Sequence, residues 1–360
     1  MRRDRCVGAS SNGWIAMVDD GLGFYMLNTV SVEQVINLPP LWGTASITLE
    51  PMLNNQPQFS VLGRHLSGVY VRDNEVHKAI WNKRPTDADF TIVVLFKPPL
   101  GALRYSQGGQ HWTTVPTTLS FASDAIFYDR RLYMVADFGT NGAHVVAVDL
   151  LHGEPIIELP EFSFFKKVKE YRMLPYLSIS PSGGLFFIAQ LIPSDAVRTT
   201  RFQVFRLDEG QTMWQRIENL DRGLLFLGLN TSKWLPCLWE GCRTDSIYFT
   251  DDTQTPNSRG RDSGVFHLDD GTTESMFEND LMELTHPFPV WIFHSSKRNR
   301  EPRAFTEKEF LENNSNCLHR IAFPVTFMTM RISKYIFARL TKAIHPRLVN
   351  HCHFSKSGPE

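Results

Sequence analysis

Residues 241–252, G-C-R-T-D-S-I-Y-F-T-D-D, and 263–276, S-G-V-F-H-L-D-D-G-T-T-E-S-M, decide the reading of the chain. Ile247 and Phe249 alternate with Ser246, Tyr248 and Thr250, and Phe266 and Leu268 alternate with Val265 and His267. A period of two is the pattern of half-buried strands. Asp270-Gly271 supplies a tight turn into a third strand. The stretch therefore predicts a small antiparallel meander, and shorter versions of it recur upstream.

The copies come in order. Asn12-Gly13 turns into the apolar run 15–18, Phe24-Tyr25-Met26-Leu27 follows as its partner, and Leu38-Pro39-Pro40-Leu41 closes the unit, since proline donates no ladder hydrogen bond. Residues 44–69 are polar and weakly patterned, and Asn54, Asn55, Gln56 and Pro57 predict an irregular connection. A second unit runs from Val69 to Pro116. A third runs from Ala125 through a turn at Asp129-Arg130-Arg131 to Leu159-Pro160, a fourth from Tyr176 to Ile217, and a fifth from Gly223 onward. Trp214-x-x-Ile217 echoes Trp112-x-x-Val115 at the same place in its unit. A spacing of about 50 residues is that of a four-stranded propeller blade, which buries both faces only within a ring. A pair of β-sandwiches is the alternative.

The 360 residues are 42% hydrophobic and 12% aromatic, enough for a large core. Five scattered cysteines without an apolar leader argue against a secreted disulfide framework and place the chain in the cytoplasm or nucleus. No apolar run is long enough for a membrane span. Residues 297–360 hold 12 Lys/Arg against 5 Asp/Glu, while residues 1–296 hold 25 against 33. The mildly acidic body predicts no nucleic-acid binding. The basic tail is expected to have low order, with a partly helical stretch over 325–344 carrying Phe327, Met330, Ile332, Ile336, Phe337 and Leu340.

No catalytic, cofactor-binding or metal-binding residue is assigned. Cys237, Cys242 and His267 lack zinc-site spacing and a fourth ligand, so isolated buried thiols are expected. Asp251-Asp252 and Asp269-Asp270 sit where strands meet loops, where aspartate serves turns. Arg201 and Arg243 are candidate partner contacts, more simply read as solvated arginines. Phosphate loops, nucleophile elbows and H-E-x-x-H motifs do not occur.

Gly241 to Asp252, Gly264-Val265-Phe266-His267-Leu268-Asp269-Asp270-Gly271 and Pro289-Val290-Trp291-Ile292 together resemble the plant KIB-type β-propeller family (DUF 295), as do Val7-Gly8 to Trp14 and Leu38-Pro39-Pro40-Leu41. The resemblance runs from about residue 6 to residue 294. It implies an all-β propeller of four-stranded antiparallel blades over residues 7–294, followed by a tail over 295–360. It also implies a non-enzymatic protein-recognition role, since members are commonly F-box proteins whose helical F-box docks on a Skp-type adaptor while the propeller captures a protein for ubiquitination. Only a few residues precede Val7, so an F-box is expected to be absent, the first blade incomplete, and adaptor binding lost. The protein partner has no identity in the sequence, and no cofactor is implied. The competing readings are an enzyme with its site in the propeller channel, which needs convergent ionisable groups there, and a truncated product without independent function.

Overall fold

The computed structural model describes residues 4–275, with breaks at 11–12, 30–33, 138–142, 151–154, 162–169, 181, 197, 209, 230, 238–242 and 251–261, together with Trp291. The basic tail, the helical stretch expected at 325–344, Asp251, Asp252 and Cys242 lie outside the described residues.

Among the described residues, five sheets form the ring. The first joins β1 (Arg5–Ala9), β2 (Trp14–Val18), β3 (Phe24–Asn28) and β4 (Val35–Leu38) in that order. The strands expected to be missing from it are therefore not missing: β1 begins at Arg5 and pairs Arg5 with Val18. An inserted three-stranded sheet follows, β5 (Ile47–Leu53), β6 (Gln56–Val61) and β7 (Arg64–Ser67), leading to a short helix α1 (Gly68–Tyr70) that runs on into one π-helical turn at Val71–Glu75. The second sheet holds β8 (Val76–Trp81), β9 (Thr91–Phe96), β10 (Ala102–Ser106) and β11 (Thr113–Thr114). The third holds β12 (Asp124–Tyr128), β13 (Arg131–Asp137), β14 (Ala143–Asp149) and β15 (Ile157–Glu158). The fourth holds β16 (Tyr171–Ile179), β17 (Leu185–Pro193), β18 (Arg201–Leu207) and β19 (Trp214–Ile217). The fifth contains β20 (Gly223–Leu227), β21 (Lys233–Pro236), β22 (Ser246–Phe249), β23 (Gly264–His267) and β24 (Thr273–Ser275), ordered β21-β20-β22-β23-β24.

Two local features depart from expectation. Residues 44–69 are not irregular: Ile47 pairs with Val61 and Leu49 with Phe59, and Asn54-Asn55, at φ 50 and 60, make the left-handed two-residue hairpin turn. The alternation was faint because Ile47, Phe59 and Val61 are buried while Leu49, Met52 and Leu53 are exposed, so apolar and buried positions do not coincide. In the fifth sheet β20 and β22 run parallel, so the whole segment 228–245, β21 included, is their crossover.

Alternate residues of the inner strands feed different cores, which is why these strands are buried on both faces. Ala79, Trp81, Ile92, Val94 and Phe96 pack with Val7, Trp14, Ala16 and Phe24 of the first sheet. Their neighbours Ile80, Val93 and Leu95 pack with Ala125, Leu132, Met134 and Val146 of the third. The same division repeats between the third and fourth sheets, and between the fourth and fifth. Strand β1 lies beside β8, β8 beside β12, and β12 beside β16, so the first strands line the centre. Gly8 is needed there, because an added Cβ would stand 2.2 Å from the Ala79 carbonyl oxygen. The ring closes where Leu229 packs on Cys6, Ala9, Ile15 and Met17 and the Thr231 N–H donates to Ala9 O at 3.1 Å.

The recurring tryptophans and prolines are two halves of one latch. Trp112 Nε1 of the second sheet donates to Pro39 O at the end of the first, 2.8 Å, and Trp214 Nε1 of the fourth donates to Pro160 O at the end of the third, 2.9 Å. The indoles fill the gap between sheets while their N–H groups find carbonyls that no strand can use. Trp112→Phe keeps the ring packing and removes the donor. Its expected cost is about 1 kcal/mol, a fall of about 2–4 °C in melting temperature for a domain of this size; an unchanged melting temperature would contradict the latch.

Candidate functional site

Two places stand out: the ring axis and the inserted sheet. At the axis, Lys78 of β8 is 1% exposed and its Nζ donates to Asp124 Oδ1 at 2.6 Å and to Gly228 O at 2.9 Å. Asp124, also 1% exposed, accepts the Leu177 N–H on its other oxygen at 2.9 Å. Lys78 Nζ also lies 5.8 Å from the centre of the Tyr176 ring. One ion pair thereby touches the second, third, fourth and fifth sheets. Burial pushes the Asp124 carboxyl above the usual carboxylate range, against the opposing pull of Lys78 and of the Leu177 and Ala125 amides.

A second buried set joins the fourth sheet to the fifth. Tyr176 Oη donates to Gln190 Oε1 at 2.9 Å, and Gln190 Nε2 donates to Thr199 Oγ1 at 2.5 Å and Asp262 Oδ2 at 3.2 Å. Asp262 also accepts the Thr199 N–H at 2.7 Å and its hydroxyl at 2.6 Å. Between the first two sheets, Arg5 Nη1 donates to the carbonyls of Arg72 at 2.5 Å and Val76 at 2.8 Å. His77, the bulged residue at the start of β8, has Nε2 2.9 Å from Ser123 O. Desolvation pushes the imidazole down to about 4, opposed by the Ser123 carbonyl and reinforced by Lys78, Arg5 and Lys97.

The inserted sheet is the reverse in character. One face covers the core between the first and second sheets through Ile47, Phe59 and Val61. The hairpin tip stands free, with Met52 72% and Leu53 61% exposed. Leu49, Leu62, Val69 and Tyr70 are exposed nearby in sequence, so six of the eight large exposed apolar residues among the described ones belong to the segment 47–70. Isolated exposed apolar residues need no explanation, but Met52 and Leu53 stand side by side at the hairpin tip, and adjacent exposed apolar side chains of this kind occur at contact surfaces.

The residues weighed from sequence fall elsewhere. His267 is buried and not outward-facing: its Nδ1 lies 2.8 Å from Ser246 Oγ and its Nε2 3.1 Å from Glu274 Oε1, cross-strand neighbours that occupy both nitrogens. Cys237 is disulfide-bonded, with its partner outside the described residues, and not the isolated thiol expected. Spacing alone fixes no sulfur–sulfur distance. Among the described residues no group of three potential ligands could hold a metal, and no helix is long and apolar enough to cross a membrane. Asp269 and Asp270 do serve their turn: Asp270 accepts the Thr272 N–H at 2.9 Å, and both hold Arg243 Nη2, at 2.8 and 2.5 Å. Arg243 is thus paired within the chain, while Arg201 opens β18 opposite Leu191. Lys78, Asp124 and the hairpin were missed. A lone lysine inside V-H-K-A-I-W and the Asn54-Asn55 pair were the available signals.

The KIB1-4 β-propeller family model matches residues 1–267. The chain belongs to the KIB1-4 β-propeller family. This propeller is 27% identical over 270 residues to a putative F-box protein of Arabidopsis thaliana, At2g33200, covering 71% of this chain and 67% of that one. It is 24% identical to the F-box protein SKIP23 of the same plant, over 80% of this chain and 75% of that one. Among solved structures it is similar to the N-terminal domain of Nup159 at a TM-score of 0.31 and 9% identity, over 58% of this chain and 46% of that chain, a likeness too slight to carry an argument.

Two outcomes test the axis of this KIB1-4 propeller. Lys78→Met leaves Asp124 buried without its cation and is expected to cost about 3–5 kcal/mol in urea unfolding. Adding Asp124→Asn removes the orphaned charge, and recovery of at least about 1 kcal/mol is expected; strict additivity would show that the two do not interact. The folded protein disfavours protonated His77, so its contribution to stability is present above about pH 6.5 and is lost as pH falls toward 4. His77→Gln is therefore expected to lose less stability than the natural chain between those pH values, and parallel pH profiles would refute that assignment.

Proposed function

We propose that this propeller is a non-catalytic protein-recognition domain related to the substrate receptors of SCF-type ubiquitin ligases, and that the β5–β6 hairpin is its contact element. The observation that carries this reading is the exposed apolar tip, Met52 and Leu53, raised from a ring whose other large side chains are mostly buried. A two-residue turn and a sheet anchored by Phe59 and Val61 hold the tip in place, so little ordering entropy opposes binding. The ionisable groups that converge at the axis support the same reading. Lys78 and Asp124 are spent on one another and on backbone groups, and Asp262, away from the axis, on Thr199 and Gln190, the arrangement of a joint, whereas acid–base chemistry needs groups that reach a substrate. The names of the two Arabidopsis relatives, both F-box proteins, agree with a role in protein recognition.

The test compares affinity captures from plant extract by the tagged full chain, Leu53→Asp, and Met213→Asp, an exposed apolar residue outside the inserted sheet. Leu53→Asp is expected to reduce recovery of specific partners about tenfold, or 1.4 kcal/mol, with its melting temperature unchanged, while Met213→Asp recovers them normally. Equal recovery by all three would overturn the role of the hairpin.

A further inference from the structure

Every sheet of a ring has two faces to cover. Among the described residues, four of the five junctions cover them with one shared apolar core apiece: first with second, second with third, third with fourth, and fourth with fifth. The junction of the fifth sheet with the first is built differently. The far face of the first sheet, Cys6, Ala9, Ile15 and Met17, takes one apolar residue from outside that sheet among the described residues, Leu229. The far face of the fifth sheet, Leu224, Phe226 and Tyr248, shares no such core with the first and is packed by Trp291. Apolar contact holds a junction in proportion to the area it removes from water, so of the five this one rests most on its directional bonds.

Trp291 is buried, and its indole stands edge-on to the rings of Phe226 and Tyr248, with centroids 5.2 and 6.2 Å away, while those two rings stack on each other at 4.9 Å. Its Nε1 donates to Leu227 O at 2.9 Å. Leu227 ends β20, and the loop that follows carries the remaining joints in sequence. Gly228 O accepts from Lys78 Nζ at 2.9 Å, Leu229 packs on the first sheet, and the Thr231 N–H donates to Ala9 O at 3.1 Å. The side chain that fixes Leu227 therefore fixes the root of the loop on which closure depends. Trp112 and Trp214 make similar indole bonds, but each across a junction that already has a shared core.

We propose that Trp291 is the clasp of the ring. Seated, it holds the loop after β20 against the axis and the first sheet. Released, it lets the ring open between the fifth and first sheets while the other four junctions stay packed. Opening costs Lys78 its bond to Gly228 O and leaves its pair with Asp124 intact. It is a sub-global opening, less costly than unfolding, and it bares the face of the first sheet that carries Cys6. The clasp is independent of the role proposed for the hairpin.

Cys6 reports the opening. Its thiol is packed with Leu229, and burial pushes it up to about 11, so an alkylating reagent finds a reactive thiolate only when the face is bared. The full chain is pulse-labelled with iodoacetamide at concentrations where the rate is first order in reagent, and Cys6 is followed by peptide mass spectrometry. Hydrogen exchange of the most protected amides of β17, a buried strand of the fourth sheet, measures global unfolding in parallel. In the natural chain the opening that bares Cys6 is expected at least about tenfold more often than the one that frees β17, or 1.4 kcal/mol. Trp291→Phe, which keeps an aromatic ring and loses the N–H, is expected to raise Cys6 labelling at least about fivefold, or 1 kcal/mol. Trp112→Phe, the matched change at the junction of the first and second sheets, lowers global stability and leaves Cys6 labelling within about twofold. Three outcomes overturn the proposal. Cys6 opening no more often than β17 means that no local opening exists. Labelling indifferent to Trp291→Phe means that β1 frays while Trp291 stays seated, and an equal response to both variants means that the whole ring loosens together.

Discussion

The ion pair between Lys78 and Asp124 is the constraint on which the ring depends. Radial sheets pack face to face through apolar side chains, and dispersion and hydrophobic burial are non-directional. Such packing tolerates sliding of one sheet against the next, so register at the axis needs directional bonds. Lys78 supplies them to Asp124 and Gly228 O, and Asp124 passes them on to the Leu177 amide. A buried pair of this kind is expensive to desolvate and is weak evidence for net stability. Its contribution here is positional: four of the five sheets meet within hydrogen-bonding distance of two side chains.

Around that centre the molecule is secured twice more. The alternating residues of the inner strands commit both of their faces to neighbouring sheets, which makes a one-residue register slip costly on two sides at once. Farther out, Trp112 and Trp214 tie the ends of alternate sheets to the proline carbonyls of the sheet before. The junction of the fifth sheet with the first is different in kind: Leu229 and the Thr231 N–H join them, and the same loop, which leaves β20 on its way to the parallel strand β22, also gives Gly228 O to Lys78.

Much of this was legible in the sequence because the forces involved act locally. The Ile247 and Phe249 alternation, the two-residue turn after Tyr128 and the Leu159-Pro160 stop each report a strand or its end without help from the rest of the chain. What was not legible depends on residues distant in sequence. Lys78 reads as an ordinary strand lysine until Asp124, 46 residues away, is folded beside it. His267 reads as outward-facing until Glu274 and Ser246 enclose it. The inserted sheet gave a weak pattern because Leu49, Met52 and Leu53 are apolar yet exposed, so the apolar positions do not mark the buried face, and the tip that makes it a candidate contact site is the part that violates the usual alternation.

The proposed division of labour is a rigid ring that carries a small, exposed recognition element on its rim, with the rigidity originating at the axis. Native-state hydrogen exchange at the Leu177 amide, which is held by Asp124 in place of a sheet partner, measures this most directly. The account predicts that Leu177 exchanges only with global unfolding, at the free energy of the most protected strand amides. Exchange through local opening, with Leu177 far less protected than its neighbours in β16 while the strands remain intact, would contradict it.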